Sequence, residues 1–446
     1  MPEGAHPVPA AWPTRLDPRR LPESTALGLL IYLGLLVWRA PEIVLAGRFW
    51  AEEALFFQQA RHTDLFTALA AAPLGYLNLP ANLAAWLASR VPLELAPRVT
   101  VSVALLVQML PALLLLRGGV PGLRAWWQRW LALLLLLVVP PSQEVWLNSV
   151  NAQFHLAIAA ALVLVAPAGR GVGAVGRRLV LLLAGLGGVP ALFLTPLFWW
   201  RTHVEGSGER LGQALVLTLC LLCQGALVIQ LLMAGVRGGE IYWTAFPLVV
   251  LAKQVMLPLL GSGLTDGWVD ALIPLLTMPP TRHWLAPLLW SLLTAFWLLA
   301  LSATWRSGAR GARYLLLASM VMLVLGFWGG ADLHRPAVAL GHARALFAGR
   351  YYYAPNVLVA LALLNLAVEG RGGWQRGVVS TILAWVLVVG GLDYVHSRAR
   401  HGFFFDGPSW SLEVVRHRIQ GIDTLAIWPV PWYVRVADPG NVHGAP

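Results

Sequence analysis

Lysine is all but absent from this sequence: Lys253 is the only one, so every other of the 32 basic residues is arginine. Charge of either sign is scarce, with Asp, Glu, Lys and Arg making up 12% of the 446 residues, about half the share usual in soluble domains. There are two cysteines, which excludes a disulfide-built scaffold. Cys220 and Cys223 lie one helical turn apart in an apolar stretch, and without a surrounding βαβ pattern they read as small buried residues rather than a redox pair. No internal repeat stands out. No His, Asp or Glu cluster has metal-ligand spacing, so no structural metal is expected.

What is abundant is apolar sequence. Hydrophobic residues occupy 58% of positions, and stretches near the ~20 residues needed to cross a bilayer recur between Ala26 and Asp393. The fold class expected is an all-α polytopic membrane protein of ten or eleven transmembrane helices. The formal net charge of +11 would suit a nucleic-acid partner, but the arginines fall in short loops between spans, where they set orientation. No nucleic-acid-binding module is present, and membrane lipids are the expected surroundings.

Arginine clusters at Arg117–Arg129, Arg170–Arg178, Arg201–Arg210, Arg306–Arg313 and Arg371–Arg376 share one side if the spans run 25–46, 99–117, 131–147, 152–167, 179–189, 190–200, 211–234, 285–304, 314–330, 353–368 and 378–393. Residues 1–24 are then a cytoplasmic lead-in, irregular for a signal peptide, and the first span stays as an anchor. The fifth and sixth spans are too short to cross separately. The break Gly185-Leu-Gly-Gly-Val-Pro190 suggests a broken hairpin, tolerable where protein or water surrounds it. The membrane domain covers 25–393. The far side receives the first loop 47–98, the segments 235–284 and 331–352, and the tail 394–446, which reads as a short helix and an extended aromatic strip.

Residues with chemistry gather on that far side. In the first loop, Gly47 to Arg61 reads as an amphipathic helix with Phe49, Leu55, Phe56 and Ala60 on one face. Leu65 to Ser89 is too interrupted for a span and reads as an interfacial segment. Glu52 and Glu53 open the first of these. A carboxylate there can act as general base or ligate a metal, but adjacent helical residues point about 100° apart. One would therefore act while the other orients it or pairs with a cation such as Arg48. The plain alternative is a solvated helix start, where acids favour the dipole.

Arginine holds phosphate oxygens in a planar fork. Arg350, followed by Tyr351, heads a late span in the same loop as His334, Arg335, His342 and Arg344. It is equally readable as an interfacial anchor. Lys253 lies in an apolar stretch, where it either meets phosphate or snorkels outward. Asn148, Asn151, Gln153 and His155 follow Glu144 in the turn between the third and fourth spans. Amides suit sugar hydroxyls, although a helix cap uses the same residues. Trp50 is among the loop tryptophans able to stack on a sugar ring.

A first span followed by Trp50-Ala-Glu52-Glu53 opening an amphipathic helix resembles the GT-C fold glycosyltransferases. Gly75-Tyr76-Leu77, the amide-rich turn Asn148 to Gln153, and Gly349-Arg350-Tyr351 extend that resemblance along most of the chain. It implies an enzyme of the bacterial inner membrane, working on the periplasmic face. Such an enzyme inverts configuration as it transfers a sugar from a polyprenyl-phosphate donor to a cell-envelope glycan, lipid or protein. By the same resemblance Glu52 or Glu53 is the base. The superfamily more often has Asp in the acidic pair, which leaves the base assignment open; Glu52, which aligns with the first acid of the pair, is favoured. Arg350, Lys253, Tyr351 and Arg344 would meet the donor phosphate. Trp50, Tyr76, Asn148, Asn151, Gln153 and His155 would meet substrate. Some members use a divalent cation and others do not, so that cofactor stays open. Two rivals are a transporter or flippase of lipid-linked sugars, which needs ionisable groups at mid-membrane, and an O-antigen ligase-like assembly protein with a late functional loop.

Overall fold

Proline and glycine decide where the apolar stretches break. The computed structural model describes residues 23–117, 120–233, 241–277, 284–329, 333–370 and 372–436. All but the last two residues of the expected N-terminal lead-in lie outside these. The first span is cut at Pro41. Helix α1 (Glu23–Arg39) stops just before Ala40, because proline disfavours helical geometry in the residue preceding it, and α2 (Pro41–Ala46) restarts on the proline. The first loop folds into α3 (Glu53–Arg61), α4 (Leu65–Leu69) and α5 (Leu79–Ala88). Its buried face is Ala54, Phe56, Phe57 and Ala60, whereas Leu55, expected on that face, is 37% exposed. Asp64 and Asn78 cap α4 and α5 by accepting backbone N–H bonds from the first turns.

Helices α6 (Ala96–Gln108) and α7 (Leu110–Leu116) join with a short lead to form one apolar run, Leu93–Leu116. Helix α8 (Trp126–Val138) ends before Pro140-Pro141, and after an irregular turn α9 (Ala152–Val165) is buried along its whole length. Next come α10 (Val172–Leu186), α11 (Thr195–Glu205) and α12 (Gly208–Met233). The broken hairpin is present: α10 rises, the chain turns at Gly187–Val189, and α11 returns beside α12. Glu209, at the start of α12, accepts from Gly169 and Arg177 near the start of α10, while Gln224 of α12 bonds Gly185 at the end of α10.

Helix α13 (Phe246–Val250) continues through a π-helical turn, Leu251–Met256, into α14 (Leu257–Thr277). This part of the expected 235–284 loop is therefore helical, and apolar enough to cross a membrane. It does not run straight, because Gly261 breaks it with φ 77°. Tyr242, Lys253, Asp266 and Asp270 all contact residues within 333–347, so both limbs of the kinked run reach the same end of the bundle. The chain then forms α15 (Leu285–Ser307), α16 (Arg310–Trp328), α17 (Pro336–Gly341), α18 (Arg350–Glu369) and α19 (Gly373–Val395). After α20 (Ser397–Arg400), the tail contains α21 (Trp410–Gln420) and an antiparallel ribbon of β1 (Thr424–Ala426) and β2 (Tyr433–Arg435). Trp410, Val414, Ile427 and Val434 of this tail bury Phe49, Ala54 and Phe57 of the first loop.

Apart from that ribbon the described residues are all-α. Among the described residues, seven helical stretches are long and apolar enough to span a membrane, and four shorter apolar helices accompany them. This is a polytopic membrane architecture with fewer full-length spans than the ten or eleven expected, because prolines and glycines shorten the first, third, fourth, fifth and sixth. Of these seven, α18 is the most buried, packed mainly on α16 and α19, while α12 and α15 lie at the periphery. The arginine-bearing connections meet at one end, where Asn365 bonds Pro121 and Ala312, and Arg210 bonds Ala166.

The hairpin tip depends on one glycine. Gly188 has φ 148°, and a side chain there would run into Gln153. Substitution Gly188→Ala is expected to cost about 2 kcal/mol or more from backbone strain and the clash. A thermal unfolding curve of the detergent-solubilised protein measures it, with Gly173→Ala, which meets open space, as the neutral control.

Candidate functional site

Three distant segments meet at the end of the bundle opposite the arginine loops. Glu52 occupies the position just before α3, Glu144 lies in the turn between α8 and α9, and Arg350 begins α18. Arg350 Nη1 is 2.8 Å from Glu52 Oε1 and 3.0 Å from Glu144 Oε1, so one guanidinium is shared by two carboxylates. Its backbone N–H also donates to Glu144 Oε2 at 3.3 Å. The three side chains keep 12–24% of their surface exposed. Glu52 Oε2 is itself buried and takes no hydrogen bond from the protein. Burial raises the Glu144 carboxyl above the usual range, with Arg350 pulling it back down.

Tyr76, Gln153 and Tyr351 complete the surroundings. The Arg350 guanidinium stands 5.3 Å from the Tyr351 ring centroid. Gln153 Nε2 donates to the Tyr76 hydroxyl at 3.2 Å. Burial pushes that hydroxyl up to about 12, and Arg350 and Glu52 are both close enough to act on its charge. Tyr76 is therefore a neutral O–H donor at neutral pH.

The backbone beside each charged member of the triad is strained. Among the described residues, the non-glycine positions with positive φ are Ala51 (38°), Leu147 (59°) and Ala348 (52°). They lie one, three and two residues from Glu52, Glu144 and Arg350. Left-handed geometry costs an L-residue roughly 1–2 kcal/mol, and it persists only where surrounding structure holds it. That surrounding structure is built partly from other residues singled out in the sequence and partly from Gln108, Ser149 and Trp428.

Glu53, 2% exposed, points away from the triad. Its Oε2 accepts from the Trp50 N–H at 2.8 Å, and its Oε1 accepts from the Ser149 N–H and hydroxyl at 2.7 and 2.6 Å. This ties the Glu52 segment to the Glu144 turn. Burial nonetheless raises the Glu53 carboxyl above its usual range, and lowers the nearby Arg48 to about 9. Arg48 lies between the Trp50 and Trp428 rings, 4.7 and 5.2 Å from their centroids. Trp50 is 2% exposed, stacked on Phe404 and bridged through its backbone to Trp428, so its ring faces protein.

Asn148 and Asn151 both donate to the Glu144 carbonyl, at 2.8 and 3.0 Å. Gln108 of α6 stitches the same turn, accepting from Leu147 N–H and donating to the Val145 and Asn148 carbonyls. His155 is packed among Trp146 and Tyr353. Lys253 is fully buried, and its ammonium donates to the carbonyls of Arg344, Ala345 and Phe347 at 2.5, 2.8 and 2.9 Å. Three donors and three acceptors use up its hydrogen-bonding capacity on the loop leading to Arg350. Arg344 is exposed and paired with Asp270.

Of the residues singled out, the structure thus brings together Glu52, Arg350, Tyr351, Tyr76 and Gln153. Glu53, Lys253, Trp50, Asn148 and Asn151 brace the segments that carry them, His155 packs behind, and Arg344 stands apart. Glu144, Ser149 and Gln108 complete the site without having been singled out. An isolated acid just after Pro140-Pro141 was the available signal for Glu144. Among the described residues, no group of three His, Cys, Asp or Glu could hold a metal ion.

No family model, curated protein or solved structure matches this chain. What it can do has to come from the geometry.

That geometry separates the two adjacent acids. Replacing Glu53 with Gln removes the charge that three donors converge on, and is expected to destabilise the protein by about 2–4 kcal/mol. Glu52→Gln keeps an acceptor for Arg350 and leaves Glu144 as its counter-charge, so it should change stability by no more than about 1 kcal/mol. Unfolding temperatures of the two variants, measured side by side, check the contrast.

Proposed function

We propose that the protein is a membrane glycosyltransferase of GT-C type, transferring a sugar from a polyprenyl-phosphate donor to a cell-envelope acceptor on the periplasmic face. The single observation that carries this reading is the shared Arg350 between Glu52 and Glu144, with Glu52 Oε2 unpartnered, at the end of the bundle away from the arginine loops. The family assignment itself rests on the motif resemblance around Trp50-Ala-Glu52-Glu53 and Gly349-Arg350-Tyr351.

In this reading Glu52 is the general base. It takes the proton of an acceptor hydroxyl as that oxygen attacks the anomeric carbon. The bond from the anomeric carbon to the phosphate oxygen breaks, and the lipid phosphate leaves with the electron pair. Attack opposite the leaving group inverts the configuration. Arg350 stabilises the charge gathering on the phosphate. Because the same nitrogen holds Glu52 in the resting protein, an arriving phosphate competes for it and frees the carboxylate to act. Glu144 retains Arg350 through two contacts during that exchange, and Tyr76 and Gln153 supply hydrogen bonds to sugar hydroxyls.

The test is transfer from polyprenyl-phosphate-linked sugars by purified, reconstituted protein. Glu52→Gln should lower the rate by roughly 10²- to 10⁴-fold, the contribution typical of a general base, with unfolding temperature retained. Full transfer activity in that variant would sink the base assignment. Arg350→Lys keeps the charge but loses the planar fork, and is expected to fall at least about tenfold. Translocation of an intact lipid-linked sugar without transfer would instead favour the flippase reading.

A further inference from the structure

The opposite end of the bundle carries a second constellation that this reaction does not use. A cavity of ≈ 550 Å³ opens between the end of α11 and the start of α16, lined by Trp200, Arg201, Arg310, Arg313 and Tyr314 among others. Val165 and Glu369, the last residues of α9 and α18, also line it. Since α18 has Arg350 at one end and Glu369 at the other, 20 residues at 1.5 Å each separate cavity and triad by about 30 Å.

The cavity is built for an anion. Arg201 is 6% exposed, held by Glu205 through Nε at 2.5 Å, and set 5.1 Å over the Tyr314 ring. Its Nη1 is buried and takes no partner in the protein. Arg313 lies 3.9 Å over the Trp305 ring, and its Nε is likewise buried and unpartnered. Arg310 is exposed at the rim. The acids present do not cancel these charges, because Glu205 is shared with a second guanidinium, Arg210, at 2.7 Å. Glu369 feels the attraction of Arg124. Helix α16 starts here; Asn365 Oδ1 accepts the Ala312 N–H at 3.0 Å, and Ala309 at the N-cap offers no side-chain acceptor to the other first-turn amides, so the positive end of the helix adds to the field. Buried donors left open on two arginines lining one cavity suit an acceptor that carries several oxygens.

The rim is amphipathic. Trp200 is 41% exposed and Val204 61%, and exposed Trp305 and Trp199 stand nearby in sequence. Such aromatics with arginines mark the level where lipid headgroups sit, and basic pockets between spans take phosphate headgroups.

We propose that this arginine-lined cavity binds a phosphate-bearing anion at the membrane surface, on the side away from the reaction site. The phosphate could belong to the headgroup of an anionic phospholipid or to a soluble phosphate ester; the chemistry at Arg201, Arg310 and Arg313 is the same. The inference stands whether or not the protein transfers sugars.

Native mass spectrometry and thermal unfolding of the detergent-purified protein test it. The probes are phosphatidylglycerol, phosphatidylcholine and inorganic phosphate. Wild-type protein should retain phosphatidylglycerol, or be stabilised by millimolar phosphate, and discriminate against phosphatidylcholine. Arg313→Gln and Arg310→Gln together should weaken that binding by about tenfold or more. Arg310→Gln alone, at an exposed position, serves if the pair fails to fold, with a smaller loss in the same direction. Protection by phosphatidylglycerol but not phosphate assigns the lipid, and the reverse assigns the soluble anion; either supports the site. Binding unchanged by the substitutions, equal retention of phosphatidylcholine, or no binding by either anion overturns it.

Discussion

One guanidinium between two carboxylates organises one end of this protein. Arg350 comes from the most buried of the seven long spans, Glu52 from the loop after the first span, and Glu144 from the turn between α8 and α9. Partly buried charges are expensive to desolvate, and removing one partner strands the others. The arrangement therefore endures only if all three chain segments are held independently. The structure supplies a separate brace for each. Glu53 bonds Trp50 and Ser149, Asn148 and Asn151 fix the carbonyl of Glu144, and Lys253 gathers the carbonyls that lead to Arg350. The tail adds a fourth brace by bonding Ala51 and Phe49 through Trp428.

The helices impose a polarity on this scheme. Asn365 and Arg210 fasten the arginine loops to one another at one end, while the acids and aromatics converge at the other. Spans such as α18 carry few ionisable groups between their ends, as hydrocarbon surroundings demand. Ionisable groups are thus concentrated at two surfaces about 30 Å apart, with an arginine-rich cavity at one and a triad of one guanidinium and two carboxylates at the other.

Much of this could be read from the residues, and what could not has physical reasons. The acid pair, Arg350, Tyr351, Tyr76 and Gln153 were visible because polar groups at the ends of apolar stretches are conspicuous. Glu144 was not, since its importance lies in a partner 206 positions away and no local periodicity encodes that pairing. The sequence leaves Lys253 either meeting phosphate or snorkelling outward, because its three acceptors are backbone carbonyls, which every residue has. The helices over 246–277 were hidden among Pro247, Gly261, Gly263 and Pro274, residues that normally punctuate loops. Here a π-helical turn and a glycine kink absorb them.

The adjacent acids show how local geometry can assign roles that composition leaves open. Two neighbours on a helix point about 100° apart, so fixing one determines the direction of the other. Glu53 is fixed by three donors on the inner side. Glu52 is thereby turned to the side where Arg350 lies, and the left-handed residue before it, Ala51, is held by Trp428 rather than left to relax. A carboxylate positioned by its neighbour's bonds has been ordered during folding, which is what the proposed base requires. The same logic explains why the bracing acid is the more buried one: both oxygens of Glu53 are satisfied by protein donors, whereas Glu52 Oε2 has none.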